Sequence, residues 1–579
     1  MRPSADIMEA ARHALAGGDN EAALRLLAQR QDPDALHLRA LAQRRGGRLA
    51  EARATFAAAR AAAPEDPEIA NNYANLLAQL GAHEEALQLY DRALALHPRY
   101  RDAAFNKALL LARLGESAPA LALLAEIVAQ NPRDAPAQSA RGTILRGLGR
   151  LDAAAAAYEA GLAAHGGLVT ALKGRAQIAL ERGEDDAVDR FRRALRAAPG
   201  DPDLVHGYAE ALEAAGGGEA TGVLERVLET HPEWIAGQLL LARMKAERGD
   251  TDYTGGMRAA IAQRPDDRDL ALAHAGTLAA GERWSEALSV LPPGDDAELA
   301  TVKAHYLCEA GHAAEALSAI AVVGCATANA AVIAARAHFR LGQPDKAAAL
   351  LERAVDNEPG AMGAWGHLEL AWRVLGDPRS AWLSGQDGLV ATCDIGIGEG
   401  ELSQIAALLR RLHRTRAHPL GQSLRGGTQT RGALFARTEP ALARLRDALM
   451  AAVARYREAL PPADAAHPLL RHRDSDLRMS GSWSVRLTDA GYHISHIHSE
   501  GLISSACYLA LPDPCADDTR AGWLELGRPP AELGFDLEPL AMIEPRVGRL
   551  ALFPSFLFHG TRPFPAGERL SVAFDVTAA

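Results

Sequence analysis

Apolar positions along the first two thirds of the chain recur at helical spacing, in pairs of short segments separated by polar turns. The clearest unit runs from Glu68 to Arg101. Its first segment carries Tyr73, Leu76 and Leu77, and Gly81 marks a turn. The second segment carries Ala86, Tyr90 and Ala93, and Pro98 closes it. The next unit begins 34 residues later, at Asp102, with Leu110, Leu111, Gly115, Ala120 and Leu124 in matching places and Pro132 at the end. The outline recurs upstream at Gly47, Ala52, Phe56 and Pro64. Downstream it returns at Gly149, Ala154, Tyr158 and Gly161, then near Gly183 and Pro199, Gly249 and Pro265, and Gly342, Ala347, Leu351 and Pro359. About twelve units fit between Pro3 and about Gly396. Several are degenerate, notably 269–296, where Pro292-Pro293 should cut the second helix short.

This pattern resembles the tetratricopeptide repeat. Small residues such as Ala86 and Ala93 let two helices approach closely, the turn glycine permits the reversal, and proline ends the second helix. One helix pair cannot bury its apolar face alone, so neighbouring pairs stack. The resemblance implies an all-α right-handed superhelix (an α-solenoid) over residues 1–396. Its concave groove would take a peptide or protein partner; a spacer or an oligomerisation surface is the alternative.

Between 397 and 478 the period is lost. Glu401–Arg414 reads as one amphipathic helix, with Leu402, Ile405, Leu408, Leu409 and Leu412 on one face. A polar, glycine-rich stretch from His418 to Gly432 follows. Its Gly426-Gly427 matches neither phosphate-binding glycine pattern, and a loop at a catalytic mouth or a domain interface is expected. A second helix spans about Pro440 to Leu460 and stops at Pro461-Pro462. After Asp476 the period changes to two, in short runs rich in Val, Phe, Tyr, Trp and Leu: Gly481–Leu487, Ser504–Leu511, Gly548–Phe553 and Leu570–Val576. These predict a jelly-roll or cupin-like β domain over 479–579, with 397–478 as helical linker and the front of that domain.

Charge narrows the field. The formal net charge of −11 leaves no basic footprint for nucleic acid, and the run Arg410–Arg416 is local and reads as a solvated helix face. Five scattered cysteines, with no CxxC pair, fit a reducing compartment. The first residues lack the apolar core of a signal peptide, and no run of about 18 apolar residues suggests a membrane span. A cytoplasmic location is expected.

Three features of the β segment carry chemistry. On a strand, His496 and His498 point to one face while Ile497 points to the other. His559 follows the hydrophobic run Leu550–Phe558. Arg569-Leu570-Ser571 comes ten residues after His559, and an arginine can grip a carboxylate in bidentate fashion beside a serine hydroxyl. Each feature is common; their order is not. The segment resembles the double-stranded β-helix of iron- and 2-oxoglutarate-dependent oxygenases. His496-Ile497-His498-Ser499-Glu500-Gly501, Ser504–Leu509 and Phe553-Pro554-Ser555 to His559 resemble in particular a bacterial oxygenase family often fused to tetratricopeptide repeats.

The resemblance implies Fe(II) on the histidines, 2-oxoglutarate held by Arg569 and Ser571, O2 as oxidant, and hydroxylation of a peptide or protein delivered by the repeats. The usual carboxylate ligand is replaced. Either His496, His498 and His559 form a three-histidine site, or His498-Ser499-Glu500 supplies Glu500 as the acidic ligand. Three neutral histidines also suit catalytic zinc. Tyr508 and Arg486 are further candidates to hold the co-substrate. His493, on the opposite strand phase, is expected to pack or to support a ligand. A repeat scaffold with an inactive β domain, or another metal enzyme on a cupin-like barrel, are the rival readings.

Overall fold

The computed structural model describes residues 4–515 and 518–578. They gather into two compact units: residues up to Ile178 with Asp189–Pro199, and Ala179–Val188 with Gly200 onward. The first unit is helical throughout. The second begins with helices and ends in two antiparallel sheets, so the chain is a helical repeat array followed by a jelly-roll-like β domain.

Twenty-four helices from Ser4–Ala16 to Arg379–Ser384 come in twelve consecutive pairs. The pair Pro67–Gln79 and His83–Leu96 shows why. Asp66 caps the first helix, its carboxylate accepting from the Glu68 and Ile69 amides, and Pro67 at the first helical position gives up no needed donor. Ala86 and Ala93 are fully buried where the helices touch, and Tyr90 fills the space beside them. The reversal between helices needs a left-handed residue. Eleven of the twelve turns use glycine; the turn at 282 uses Glu282, at φ 60°. In the same repeat the second helix is only Trp284–Ser289, ending ahead of Pro292-Pro293.

The strands are β1 (Ala391–Asp394), β2 (Leu424–Gln429), β3 (Leu477–His493), β4 (Ile503–Ala510), β5 (Leu524–Leu526), β6 (Ala541–Ile543), β7 (Arg549–Pro554), β8 (His559–Thr561) and β9 (Glu568–Ala578). One sheet has the order β1-β7-β4-β9-β3-β2, the other β6-β5-β8. Long β3 and β9 pair from Leu477 opposite Ala578 to Thr488 opposite Glu568, which fixes the faces of both. β1 and β2 lie ahead of residue 479 yet belong to the larger sheet. The stretch expected as a loop at His418–Gly432 therefore contains a strand. Gly427 meets the Arg486 carbonyl and Leu487 where a Cβ would stand, so the glycine serves close strand approach at a bulge.

The last repeats and the β domain share one core. Leu368, Leu370 and Ala371 of helix Met362–Leu375 join Ile405, Leu409, Leu449, Phe553, Phe556 and Phe574 in a single buried cluster. Each fully buried Leu or Phe contributes roughly 1.5–3 kcal/mol, so this core fastens the sheet to the repeats.

A second attachment runs along the repeat turns. Arg437 packs on Gly183, and Arg414 donates to the Ala214 carbonyl. The amides of Arg416 and Ala417 donate to the Glu247 carbonyl at 2.9 and 3.0 Å, and that of Gly421 to the Ala280 carbonyl at 2.8 Å. Arg431 pairs with Glu213 and Glu247, and Arg425 with Glu282. Residues 414–437 thus strap across four successive turns and carry β2 to the rim of a cavity that His496, His498 and His559 also line.

Candidate active site

Chain direction changes bring the histidines together. β3 ends at His493, and the segment after it forms one isolated bridge, His496 to His559, each backbone amide donating to the other's carbonyl at 2.9–3.0 Å. The apolar run Leu550–Phe558 is not one strand: β7 stops at Pro554, a turn buries Phe556 and Phe558, and His559 opens β8. The ligand-capable atoms of His496, His498 and His559 all lie within 4.8 Å of one another. His496 Nε2 and His498 Nε2 are 3.2 Å apart. Nitrogens sharing a face around a metal at roughly 2.0–2.1 Å are about 3 Å apart, so the spacing suits a common ion.

The other ring nitrogens set the tautomers. His496 Nδ1 donates to the Ile494 carbonyl at 2.9 Å, His559 Nδ1 to the Leu557 carbonyl at 3.0 Å, and His498 Nδ1 to Asp575 Oδ1 at 2.6 Å. Each acceptor takes the proton on Nδ1, which leaves each Nε2 with a lone pair. Burial, with His498 beside it, lowers His496 to about 4; burial and the two neighbouring rings hold His559 well below its ordinary range. His496 and His559 therefore stay neutral near pH 7, as metal ligation requires.

Asp575 is fixed by Ser504, whose hydroxyl donates to it at 2.9 Å. Ser423 Oγ lies 3.0 Å from His493 Nδ1 and 3.1 Å from His496 Nε2. His493 is half-buried, lies outside the three-nitrogen group and stacks on His496 with centroids 5.9 Å apart.

The cluster borders a cavity of about 650 Å³ whose wall also includes Arg569, Ser571 and Ala573, three alternate residues of β9. Arg569 is only 3% exposed. Its Nη1 donates to the Gly522 carbonyl at 2.9 Å, and its guanidinium carbon sits 4.9 Å from the Tyr508 ring centroid. Tyr508 is the guanidinium's side-chain neighbour, and no carboxylate among the described residues reaches it. Burial accordingly lowers its pKa. A buried cation with no anion is costly, and a carboxylate ligand would complete it.

Three expected site residues fall elsewhere. Arg486 is not on the cavity wall: Trp483 and Val485 face inward, so strand alternation sends Arg486 outward, where its Nε pairs with Glu568 at 2.6 Å. Glu500 is exposed, on the turn that follows His498, and lies outside the histidine group. Tyr508 lies under Arg569 rather than on the wall. Residues the sequence reading missed are Asp575, Ser504 and Ser423, and a wall supplied by the repeats: Gly276, Ala279, Ala280, Glu282, Trp284, His305 and Tyr306. Asp575 had a signal, since it continues the alternation Arg569, Ser571, Ala573. The repeat wall had none. The five cysteines are free thiols, with Cys308 and Cys507 buried. No helix among the described residues is long and apolar enough to cross a membrane.

A helical repeat array joined to a jelly-roll-like domain with a histidine cluster and a buried arginine is the class this fold and site define. Comparison with known families agrees. Residues 481–575 match the family described as "Putative 2OG-Fe(II) oxygenase". Residues 8–67, 37–98, 77–144, 139–202 and 328–372 match tetratricopeptide repeats. The chain carries tetratricopeptide repeats fused to a C-terminal domain of that oxygenase family. A search of curated proteins finds no match. Among solved structures, Pseudomonas aeruginosa pilF is 19% identical over 35% of this chain and 94% of its own, with a TM-score of 0.32. The type IV pilus biogenesis factor PilW is 22% identical over 35% and 97%, with a TM-score of 0.33. Yeast Tom70 is 14% identical over 65% and 98%, with a TM-score of 0.35.

Proposed function

We propose that the protein is an Fe(II)- and 2-oxoglutarate-dependent oxygenase, a hydroxylase by default, acting on a peptide or protein that its repeats recruit. One observation carries the reading: a buried, acid-free guanidinium borders the same cavity as three imidazoles whose Nε2 lone pairs converge. A buried guanidinium without an acid suits a co-substrate that brings its own carboxylate.

His496, His498 and His559 would hold the iron, and Asp575 would keep His498 in the ligating tautomer. Arg569 and Ser571 would bind the far carboxylate of 2-oxoglutarate, with Tyr508 backing the guanidinium. Bound together, Fe(II), 2-oxoglutarate and O2 supply oxidation of an unactivated C–H bond, with succinate and CO2 as co-products. The chain's own part is to orient and to keep water out: Val485, Leu524 and Phe553 line the cavity beside the polar groups.

Anaerobic titration of the purified chain with Fe(II) and 2-oxoglutarate tests this. The expected result is a weak visible charge-transfer band, absent in His559→Ala and weakened in Arg569→Ala. Metal binding without the band would sink the co-substrate assignment and favour zinc chemistry, which a three-histidine donor set also suits. No metal binding at all would leave a scaffold.

A further inference from the structure

The repeats do more than border the β domain. Helix Arg268–Ala280, the turn after it, Trp284 and helix Ala297–Glu309 form one wall of the same cavity as the histidines. On this wall Trp284, His305 and Tyr306 make a three-ring cluster, with centroid separations of 5.7, 5.8 and 6.0 Å. Beside it, Gly276, Ala279 and Ala280 present almost no side chain, and that leaves room above the rings.

Charge limits what could enter. Among the described residues lining the cavity, only Glu282 and Arg569 are formally charged. Glu282 is taken by Arg425. Arg569 is committed to the co-substrate in the reading above. Burial keeps His305 neutral, and the acid near it, Glu309, is engaged by Arg336 and Arg340. A cationic group would have to displace Arg425, and an anionic one would compete with 2-oxoglutarate. Gln422 and Gln429 also line the cavity, and their carboxamides make no hydrogen bond among the described residues. Amides of that kind suit the N–H and C=O groups of a polypeptide backbone.

We infer that this repeat-borne wall is the substrate-specificity site: Trp284, His305 and Tyr306 receive an uncharged side chain of a polypeptide, with Gln422 and Gln429 meeting its backbone. The inference rests on the oxygenase reading for the direction of the substrate, but not for the pocket itself. The repeats then select the side chain as well as recruit its carrier.

The test uses the full chain saturated with redox-inert Zn(II) and 2-oxoglutarate. The probes are N-acetyl methylamides of Leu, Phe, Pro, Lys, Arg and Glu, followed by saturation-transfer NMR. The uncharged probes are expected to receive saturation at least fivefold more strongly than the charged ones. Trp284→Ala should abolish their signal. Gly276→Leu is a second variant that should keep the fold: a Cβ there meets only the Tyr306 hydroxyl, at 3.8 Å, and leucine suits a helix better than glycine. It should fill the space and remove the signal with a melting temperature no lower than that of the unsubstituted chain. Equal or stronger binding of the charged probes, an uncharged-probe signal indifferent to both variants, or no binding by any probe would overturn the assignment. No turnover is read, so a chain that binds uncharged probes but gives no Fe(II)–2-oxoglutarate band keeps this pocket and loses the oxygenase reading.

Discussion

His498 Nδ1 and Asp575 Oδ1 meet at 2.6 Å, one from the segment after β3 and the other near the end of β9. The carboxylate also accepts from Ser504, so it is held in place before any metal arrives. In the proposed three-histidine site, the histidine standing in for the usual acidic ligand therefore has an acid behind it. Asp575→Asn puts an amide there that can present N–H to Nδ1 and release the tautomer. Metal affinity should fall about 10- to 100-fold, as for other supporting partners of ligating histidines. Competition with a chelating dye, using Zn(II) or Fe(II), reads it; an unchanged affinity would exclude Asp575 from the metal's support.

Arg569→Met should separate binding from stability. The guanidinium is buried without an acid, and an unpaired buried charge costs several kcal/mol, whereas methionine fills similar volume with no charge. The variant should lose 2-oxoglutarate binding yet melt at the same temperature or higher. Calorimetry decides: a melting point lowered by several degrees would mean the arginine is a strut, acting through the Gly522 carbonyl.

Glu282 stands where the other eleven turns have glycine, at φ 60°. A side chain in that region costs about 1 kcal/mol, and an ion pair as exposed as its pair with Arg425 returns only about 0–1 kcal/mol. Glu282→Gly should leave stability unchanged or raise it by up to about 1 kcal/mol. Gly249→Glu carries the same strain, with open space around the added Cβ, and should lose about 1 kcal/mol. Paired urea midpoints test both.

Acid should weaken the seam between the repeats and the sheet. His367 is buried against Phe558, its Nδ1 donating to the Gly363 carbonyl at 2.7 Å, and burial followed by Arg336 lowers it to about 3. The unfolded histidine takes its proton near 6.5, the folded one only near 3. Its contribution is thus complete above pH 6.5 and is lost as pH falls toward 3, about 2 kcal/mol by pH 5. His413, lowered to about 4 by burial, adds in the same direction. Melting temperature should drop between pH 7 and 5, and His367→Gln should flatten the slope.

The domain division proposed from the sequence can be tested by cutting at it. A fragment 397–579 lacks β1 and the helix Met362–Leu375, whose apolar residues share the core of the sheet. It should be insoluble or molten, while a fragment from Gly200 onward keeps that core and should show cooperative unfolding by circular dichroism. A well-folded 397–579 would restore the boundary as an independent one.

Much of this was legible in the chain. The 34-residue period at Glu68 and Asp102 implies helix pairs, because small residues, turn glycines and closing prolines act locally. His496 and His498 could be placed on one face by alternation, and the stripe from Arg569 to Ser571, followed two steps further, reaches Asp575. Arg486 shows the limit. Alternation says that Arg486 and Val485 face opposite ways, but not which of the two faces the cavity. Glu500 shows another: a turn after His498 ends the alternation that would have ranked it as a ligand.

By itself, the sequence determined the repeats, the change of period near residue 476, and the residue types able to bind a metal and a carboxylate. These depend on spacing within a single element. The tertiary structure alone decided that His559 meets His496 across an isolated bridge, and that Glu282, Trp284, His305 and Tyr306 stand opposite the histidines. The two histidines are 63 positions apart in the chain, and the repeat residues precede the histidine cluster by 190 or more. They follow from how a strap and a shared core dock the sheet on particular turns of the repeats, and no local periodicity records that docking.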